Sequence, residues 1–135
     1  TKVRSVQCLD GDGQELRTTT TLVSNTPTNV RRLPPSITGF SPFVAPGNQK
    51  LGVMIFGPRG GDITSMTVDG EAAPVGGAEL DGRPVAKVAR ELPPGQSSVI
   101  VTTMRTAAAS PGDPELRTTP AVIPNDDSVE PSACD

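Results

Sequence analysis

A general base that works at neutral pH would have to be a strongly perturbed carboxylate or lysine in this chain, because histidine is absent from its 135 residues. Without imidazole, neither a Ser-His-Asp nor a Cys-His nucleophile pair can be assembled within the chain. Two carboxylates alone suffice for glycoside hydrolysis. However, sugar sites usually stack rings on Trp or Tyr, and both are absent. We therefore predict that the chain is not an enzyme and rank a carboxylate-based hydrolase third among its functions.

The densest group of oxygen ligands lies in the segment Asp10-Gly11-Asp12-Gly13-Gln14-Glu15. It departs from a calcium-binding loop, since Gln14 replaces the third acidic ligand and Glu15 stands where the sharp-turn glycine belongs. Two Asp-Gly steps are instead typical of a tight hairpin, which needs positive φ angles. We expect a hairpin turn, with no metal site and no cofactor, and leave calcium near Asp10 and Asp12 as the open alternative.

The chain has two cysteines, Cys8 and Cys134, which lie close to its two ends. A bond between them would close a loop of nearly the whole chain, which the chain-entropy model credits with about 5 kcal/mol of stability. Such a bond persists only in an oxidising compartment. We therefore predict a disulfide between Cys8 and Cys134 and an extracytoplasmic location, at the cell surface or secreted.

Length and charge narrow the class of protein further. A chain of 135 residues is the size of one domain with a modest core, so we expect a single domain over residues 1–135. The net charge is −3 and basic residues are mostly isolated, which argues against nucleic acid as a partner. No apolar run reaches the roughly 18 residues of a membrane span, so we expect no direct membrane insertion by this segment. Because the chain begins at Thr1, we expect a piece of a longer protein or a mature secreted form.

Apolar periodicity between Gly and Pro positions predicts about seven short strands and no long helix. With 14 Gly and 15 Pro spread along the chain, this pattern favours an all-β fold, an antiparallel immunoglobulin-like β-sandwich with Pro/Gly-rich loops. A hairpin is also predicted at Asp69-Gly70. The predicted strands are Lys2–Leu9, Glu15–Ser24, Leu51–Phe56, Asp62–Val68, Arg83–Leu92, Ser97–Thr106 and Glu115–Ile123.

Three of these strands carry sharper expectations. The run Leu51–Phe56 is apolar on both faces, which predicts a central strand buried on both sides. The threonines of Thr18–Thr21 suit either face, which favours a strand near a sheet edge. In Ser97–Thr106, Val99 and Val101 lie on one face of the predicted strand, and Ile100 and Met104 lie on the other.

Several of these segments resemble the C-terminal β-rich portion of a bacterial family. The family comprises membrane-anchored cell-envelope proteins of Gram-positive bacteria and is known as a domain of unknown function, number four thousand and twelve. The resemblance covers roughly Leu16 to Arg105. It rests on Val53–Gly61, Met66–Gly70, Gly82–Val85, Glu91–Val99, Leu22–Pro27 and Leu33-Pro34.

The resemblance implies an extracytoplasmic module at the C-terminal end of an anchored protein, and it carries over no catalytic residues. The partners that it implies are other domains of the same envelope protein or another surface protein. Cys8 and Cys134 lie outside the resembling region, so the predicted disulfide rests on this chain alone.

The longest loop is predicted between Asn25 and Lys50, and it carries the apolar residues Ile37, Phe40, Phe43 and Val44. Such a loop either folds back as a lid over one end of the sandwich or presents a patch to a partner. We expect a lid, because the chain has only three phenylalanines to bury.

The chain is therefore predicted to be a non-catalytic extracytoplasmic structural or interaction module of a bacterial cell-envelope protein of unknown function. The alternative is a small binding or adhesin domain that uses the Phe40/Phe43 loop.

Overall fold

The computed structural model describes residues 1–9, 13–39, 41–108 and 113–131, which form two β-sheets and two short helical turns. The helical turns are a 3-10 turn, Val30–Arg32, and α1, Pro35–Thr38. The strands are β1 Lys2–Leu9, β2 Gly13–Val23, β3 Gln49–Phe56, β4 Asp62–Val68, β5 Glu71–Ala73, β6 Ala78–Leu80, β7 Arg83–Leu92, β8 Ser97–Arg105 and β9 Ser128–Val129.

The larger sheet has the strand order β5-β4-β8-β2-β1-β9, and the smaller one has the order β3-β7-β6. All neighbouring strands run antiparallel except β1 and β9, which are parallel. The all-β class and the two antiparallel sheets of a sandwich are confirmed. The immunoglobulin-like label is not confirmed by this strand order, in which the last long strand, β8, lies between β2 and β4, and it stays a prediction.

The core lies between the two sheets and is small. Ile100 of β8 is fully buried beside Met104, and Ala86 of β7 faces them from the smaller sheet. Leu16, Ile63 and Met66 complete the buried cluster. Val53 and Ile55 of β3 pack against it while half-buried. The smaller sheet therefore covers the centre of the larger one with one face only.

Polar residues also lie inside the larger sheet. Thr102 of β8 is fully buried, and its hydroxyl is hydrogen-bonded to the hydroxyl of Thr18 on β2, directly opposite. The strand of Thr18–Thr21, predicted to lie near a sheet edge, is an inner strand, because β2 lies between β1 and β8 and is third from one end of the sheet. A threonine suits such a buried site only when its hydroxyl has a partner, and each of these two threonines supplies the other.

The prediction for Leu51–Phe56 is also wrong in part. The strand exists, as β3, but it is an edge strand that pairs only with β7. Its residues alternate, with Val53 and Ile55 toward the core and Met54 and Phe56 in solvent. The sandwich has no third layer over the smaller sheet in the described residues, so one face of an apolar strand stays exposed.

A proline shapes the start of β7. Pro84 lies opposite Gly57, and its carbonyl accepts a 2.8 Å hydrogen bond from the Gly57 N–H. Because proline has no N–H, Pro84 donates no hydrogen bond to Gly57. The Arg83 guanidinium donates to the Gly57 carbonyl instead, at 3.2 Å. An added Cβ at Gly57 would lie 2.7 Å from the Pro84 ring. Glycine at this turn is therefore required by close packing.

The predicted boundaries of β1, β4 and β7 are confirmed, whereas the strand predicted over Glu115–Ile123 is wrong. That segment forms no ladder, and Pro120 within it cannot donate a ladder bond. The chain instead regains pairing at β9, next to β1. The short strands β6 and β9 were not predicted, because a strand of two or three residues is too short to show an alternation of apolar and polar side chains.

Candidate interaction surface

The outward face of the three-stranded sheet exposes a group of large apolar side chains. Met54 and Leu80 are each 56% exposed and Phe56 is 44% exposed. Phe56 of β3 lies opposite Val85 of β7, which in turn lies opposite Ala78 of β6, so an apolar row crosses all three strands. We call Met54, Phe56, Val85, Ala78 and Leu80 the apolar face.

Charged residues lie both at the ends of the apolar face and within it. Lys50 lies opposite Glu91 at one end of the β3–β7 ladder, and Lys87 lies opposite Met54 in its middle. Gly52 lies opposite Ala89, and both are exposed. A large apolar area with a charged rim is typical of a surface that another molecule covers.

The free edges of the two sheets differ strongly in length. The six-stranded sheet ends in β5, with three residues, and β9, with two. The three-stranded sheet ends in β6, with three residues, and in β3, with eight. Very short edge strands leave few backbone groups open for pairing with another chain. Among the described strands, β3 is the longest of the four edge strands, and β1, β4 and β7 are also uncovered where they extend past their short neighbours β9, β5 and β6.

The Phe40/Phe43 loop does not form the predicted lid. Phe43 is 81% exposed and Ile37 is 67% exposed, so the lid prediction is wrong for both, while Val44 is half-buried. Phe40 lies outside the described residues. The backbone of the loop is instead held at Val30, which is buried and packs so closely that a Cβ at Gly47 would lie 2.3 Å from its Cγ1.

Val30 was missed because an isolated valine between polar residues gives no periodic signal. In the described part of the loop, Val30 is buried and Phe43 is exposed. Beside this loop, a shallow cavity of ≈ 250 Å³ lies between Ser41, Val44 and Lys50, at the start of β3. Its volume is below the roughly 300 to 1,000 Å³ of ordinary small-molecule sites.

The two sheets are joined by a polar cluster at one end of the sandwich, the sheet latch. Arg90 of β7 pairs with the Asp69 carboxylate in the β4–β5 turn, and its Nε donates to the Ser98 hydroxyl at 3.0 Å. Ser98 donates to Asp69 Oδ2 at 3.0 Å, and the Val99 N–H donates to Oδ1 at 2.8 Å. The backbone bond from Val99, with smaller effects of Ser98 and Arg90, lowers the pKa of Asp69 against the opposing effect of desolvation.

Asp69 has a positive φ of 53°, as the predicted Asp-Gly turn requires. The sequence predicted the turn but gave no sign that its carboxylate reaches the other sheet. Such a partner across the sandwich depends on tertiary packing, which local spacing does not encode.

The predicted disulfide is only half within the described residues. Cys8 lies on β1, exposed, whereas Cys134 lies outside the described residues, as do Asp10 and Asp12. The parallel ladder of β1 with β9 covers Lys2 with Ser128 and Val3 with Val129. The disulfide stays a prediction.

Within the described residues, no group of three or more Cys, Asp or Glu side chains is arranged to hold a metal ion. In the same residues, no helix is long and apolar enough to cross a membrane.

No family model, curated protein or solved structure matches this chain. The resemblance to the Gram-positive envelope family therefore stays a prediction. The candidate site rests on the exposed apolar face and the open β3 edge.

Proposed function

We propose that this chain is a non-catalytic interaction module of an extracytoplasmic bacterial envelope protein, and that the three-stranded sheet is its contact surface. The observation that carries the proposal is the apolar face, where Met54, Phe56 and Leu80 are exposed on the same side of the three-stranded sheet. A rigid sheet presents such side chains at little cost in conformational entropy on binding. The partner is another domain of the same envelope protein or another surface protein.

The sheet latch supports this role. Asp69, Ser98 and Arg90 hold the smaller sheet against the larger one, so the apolar face is presented in one orientation. A preorganised surface loses less freedom when it binds than a mobile one does. The strands of the sandwich thus act as a scaffold for one outward face.

The test compares two double variants in a binding assay on isolated Gram-positive cell envelopes. Met54→Ser/Phe56→Ser removes two large side chains from the apolar face. Val122→Ser/Ile123→Ser is the matched control, because both side chains are exposed apolar groups outside the sheets. We expect envelope binding to fall about tenfold or more in the first variant, since central apolar residues dominate interfaces, and to stay unchanged in the second.

Melting temperatures of both variants must stay near that of the parent chain for the result to count. Equal binding by all three proteins would contradict the contact surface. Hydrolysis of peptides, esters or phosphoesters that one Asp or Glu substitution abolishes would contradict the non-catalytic part of the proposal.

A second candidate function is a small binding or adhesin domain that uses the loop. The exposure of Phe43 and Ile37 favours it, since neither side chain serves the core. Phe43→Ser should leave the melting temperature unchanged. If it also abolishes envelope binding while Met54→Ser/Phe56→Ser does not, the loop is the contact surface.

A further inference from the structure

The hydrogen bonding of β3 shows which of its backbone groups are free for pairing. Gly57 donates to Pro84, the residue opposite it, so this pair is one of the hydrogen-bonded pairs of the antiparallel ladder. Such pairs recur at every second residue, so Val53 and its odd-numbered neighbours bond to β7. The N–H and C=O groups of the even-numbered residues point to the open edge. They belong to Lys50, Gly52, Met54 and Phe56.

We propose that this open edge pairs antiparallel with the same edge of a second copy of the chain, about a two-fold axis at Val53. The proposal rests on the proposed function and names the partner of the same sheet. A two-fold interface uses the same patch on both copies, so β3 must be complementary to itself. Its register and its charge both meet this condition.

One register uses all four open residues. Centring the axis on Val53 places Gly52 opposite Met54 and Lys50 opposite Phe56 of the other copy. Each open N–H then meets an open C=O, because even-numbered residues face even-numbered residues across the edge. Moving the axis by one residue toward Met54 would bring Lys50 opposite Pro58, which has no N–H to contribute.

The side chains fit the same register. Lys50 is the one charged residue in β3, and the two copies of Lys50 lie at opposite ends of the pair, so no like charges meet. Each Lys50 instead lies beside Phe56 of the other copy, an arrangement that favours cation–π contact. Gly52 has open space where its Cβ would be, which leaves room for Met54 of the other copy.

Pairing would also cover the half-buried core residues at the edge. Leu51 and Ile55 would lie opposite each other, and Val53 opposite its own copy, on the faces that point to the two cores. The two apolar faces would join into one surface across six strands. This explains why β3 has the composition of a strand buried on both sides while it lies at the edge of a single chain.

The contact is small, since two eight-residue strands bury less than the roughly 1,000 Å² expected of a stable interface. We therefore expect a dimer that forms with rising concentration, in the range of about 1 μM to 1 mM. Sedimentation equilibrium over that range measures it directly.

Met54→Pro is the decisive variant for this measurement. It removes one open N–H of β3 while keeping the bonds of β3 to β7. Glu79→Pro is the matched control, because Glu79 lies on β6, the other edge of the same sheet, between the hydrogen-bonded pairs of Ala78 with Val85 and Leu80 with Arg83. Dimerisation should weaken about tenfold or more in Met54→Pro and stay unchanged in Glu79→Pro.

Cysteine cross-linking tests the register independently. In the proposed pair, the two Val53 Cα atoms form a non-hydrogen-bonded pair about 4.5 Å apart, within the range that a disulfide spans. Val53→Cys should therefore give a covalent dimer on mild oxidation, with peptide mapping to confirm a bond between the two introduced cysteines. Ala89→Cys, on the outward face of β7, should give none.

The outcomes separate this inference from the proposed function. A chain that stays monomeric at all these concentrations, with no cross-link through Val53→Cys, overturns the dimer, even where envelope binding still depends on Met54 and Phe56. Cross-linking through Ala89→Cys alone would show face-to-face stacking and overturn the edge register. A dimer that Met54→Pro weakens supports the inference, whatever the envelope assay shows.

Discussion

The two sheets of this domain differ in how their polar groups are paired and in how much of their apolar surface is buried. The six-stranded sheet buries hydroxyls in pairs, as at Thr18 and Thr102, and ends in strands of two or three residues. The three-stranded sheet buries only one face, leaves Met54 and Phe56 in solvent and ends in the long open β3. The larger sheet thus ends in short strands of the same chain, whereas the smaller one leaves an apolar face and an eight-residue edge for which we propose a partner.

The largest effect is expected from the predicted disulfide between Cys8, which lies on β1 of the six-stranded sheet, and Cys134. If Cys8 and Cys134 are bonded, Cys8→Ser should lower the free energy of unfolding by about 5 kcal/mol, because the unfolded chain regains the freedom of a very large loop. Thermal unfolding of both proteins, purified under oxidising conditions, measures the difference. An intact mass that shows two free thiols in the parent protein would refute the predicted disulfide.

Core packing should show the contrast between the sheets next. Ile100→Ala in β8 should cost about 3 to 4 kcal/mol, because Ile100 is fully buried between the sheets and leaves a cavity. Met54→Ala in β3 removes an exposed side chain and should change stability by less than about 0.5 kcal/mol. Urea unfolding at low protein concentration, where the chain is monomeric, measures both. Equal losses would mean that the outward face of β3 is packed in the monomer.

A pair of glycines gives a smaller contrast. A Cβ at Gly61 would lie 2.2 Å from the carbonyl oxygen of Arg105 at the end of β8, so Gly61→Ala should cost about 1 to 3 kcal/mol. Gly52 in β3 has nothing within 4 Å of its added Cβ, so Gly52→Ala should be neutral or stabilise by up to about 1 kcal/mol. Thermal melts compare the two variants. A severe loss in Gly52→Ala would show that the β3 edge is crowded.

The smallest effect is expected at the sheet latch and depends on pH. Because the folded state holds the pKa of Asp69 below its ordinary value, this carboxylate adds stability above the pKa of the unfolded chain, about 3.9. That contribution is lost as pH falls through the lowered pKa. Asp69→Asn keeps a residue that tolerates positive φ but removes the charge.

Melting temperatures measured from neutral pH down to acid should therefore converge for the parent chain and Asp69→Asn below about pH 4. Asp62→Asn in β4 is the control, since it removes an exposed carboxylate of the same sheet outside the latch. If the difference between the parent chain and Asp69→Asn stays constant down to the lowest pH, the latch does not act through its charge.

The sequence predicted the strands with strong alternation and failed where packing between elements decides. β1, β4 and β7 were predicted to the residue, because Gly and Pro mark their ends. The apolar composition of β3 predicted burial on both sides, and the structure of one chain supplies only one. Apolar composition alone does not tell whether a strand is covered on one face or on two, because that depends on how the sheets stack.

The candidate site was predicted less well than the fold. The Phe40/Phe43 loop was singled out for its phenylalanines, but Phe43 is exposed and Val30, which gives no pattern in sequence, is the buried residue. The apolar face was missed because Leu80 belongs to a three-residue strand. The partners of Asp69 on β7 and β8 depend on how the sheets stack, which no local spacing predicts.

The strand order also determines when this domain can fold as its chain emerges from a ribosome or a membrane pore. β2, at the centre of the large sheet, pairs with β8. The ladder that pairs Leu16 with Met104 therefore cannot form until β8 has been synthesised. Closing such distant contacts first makes folding slow, in milliseconds to seconds for all-β domains. Until then β3 and β2 are exposed together, so a chain with this strand order is prone to aggregate before β8 has been synthesised.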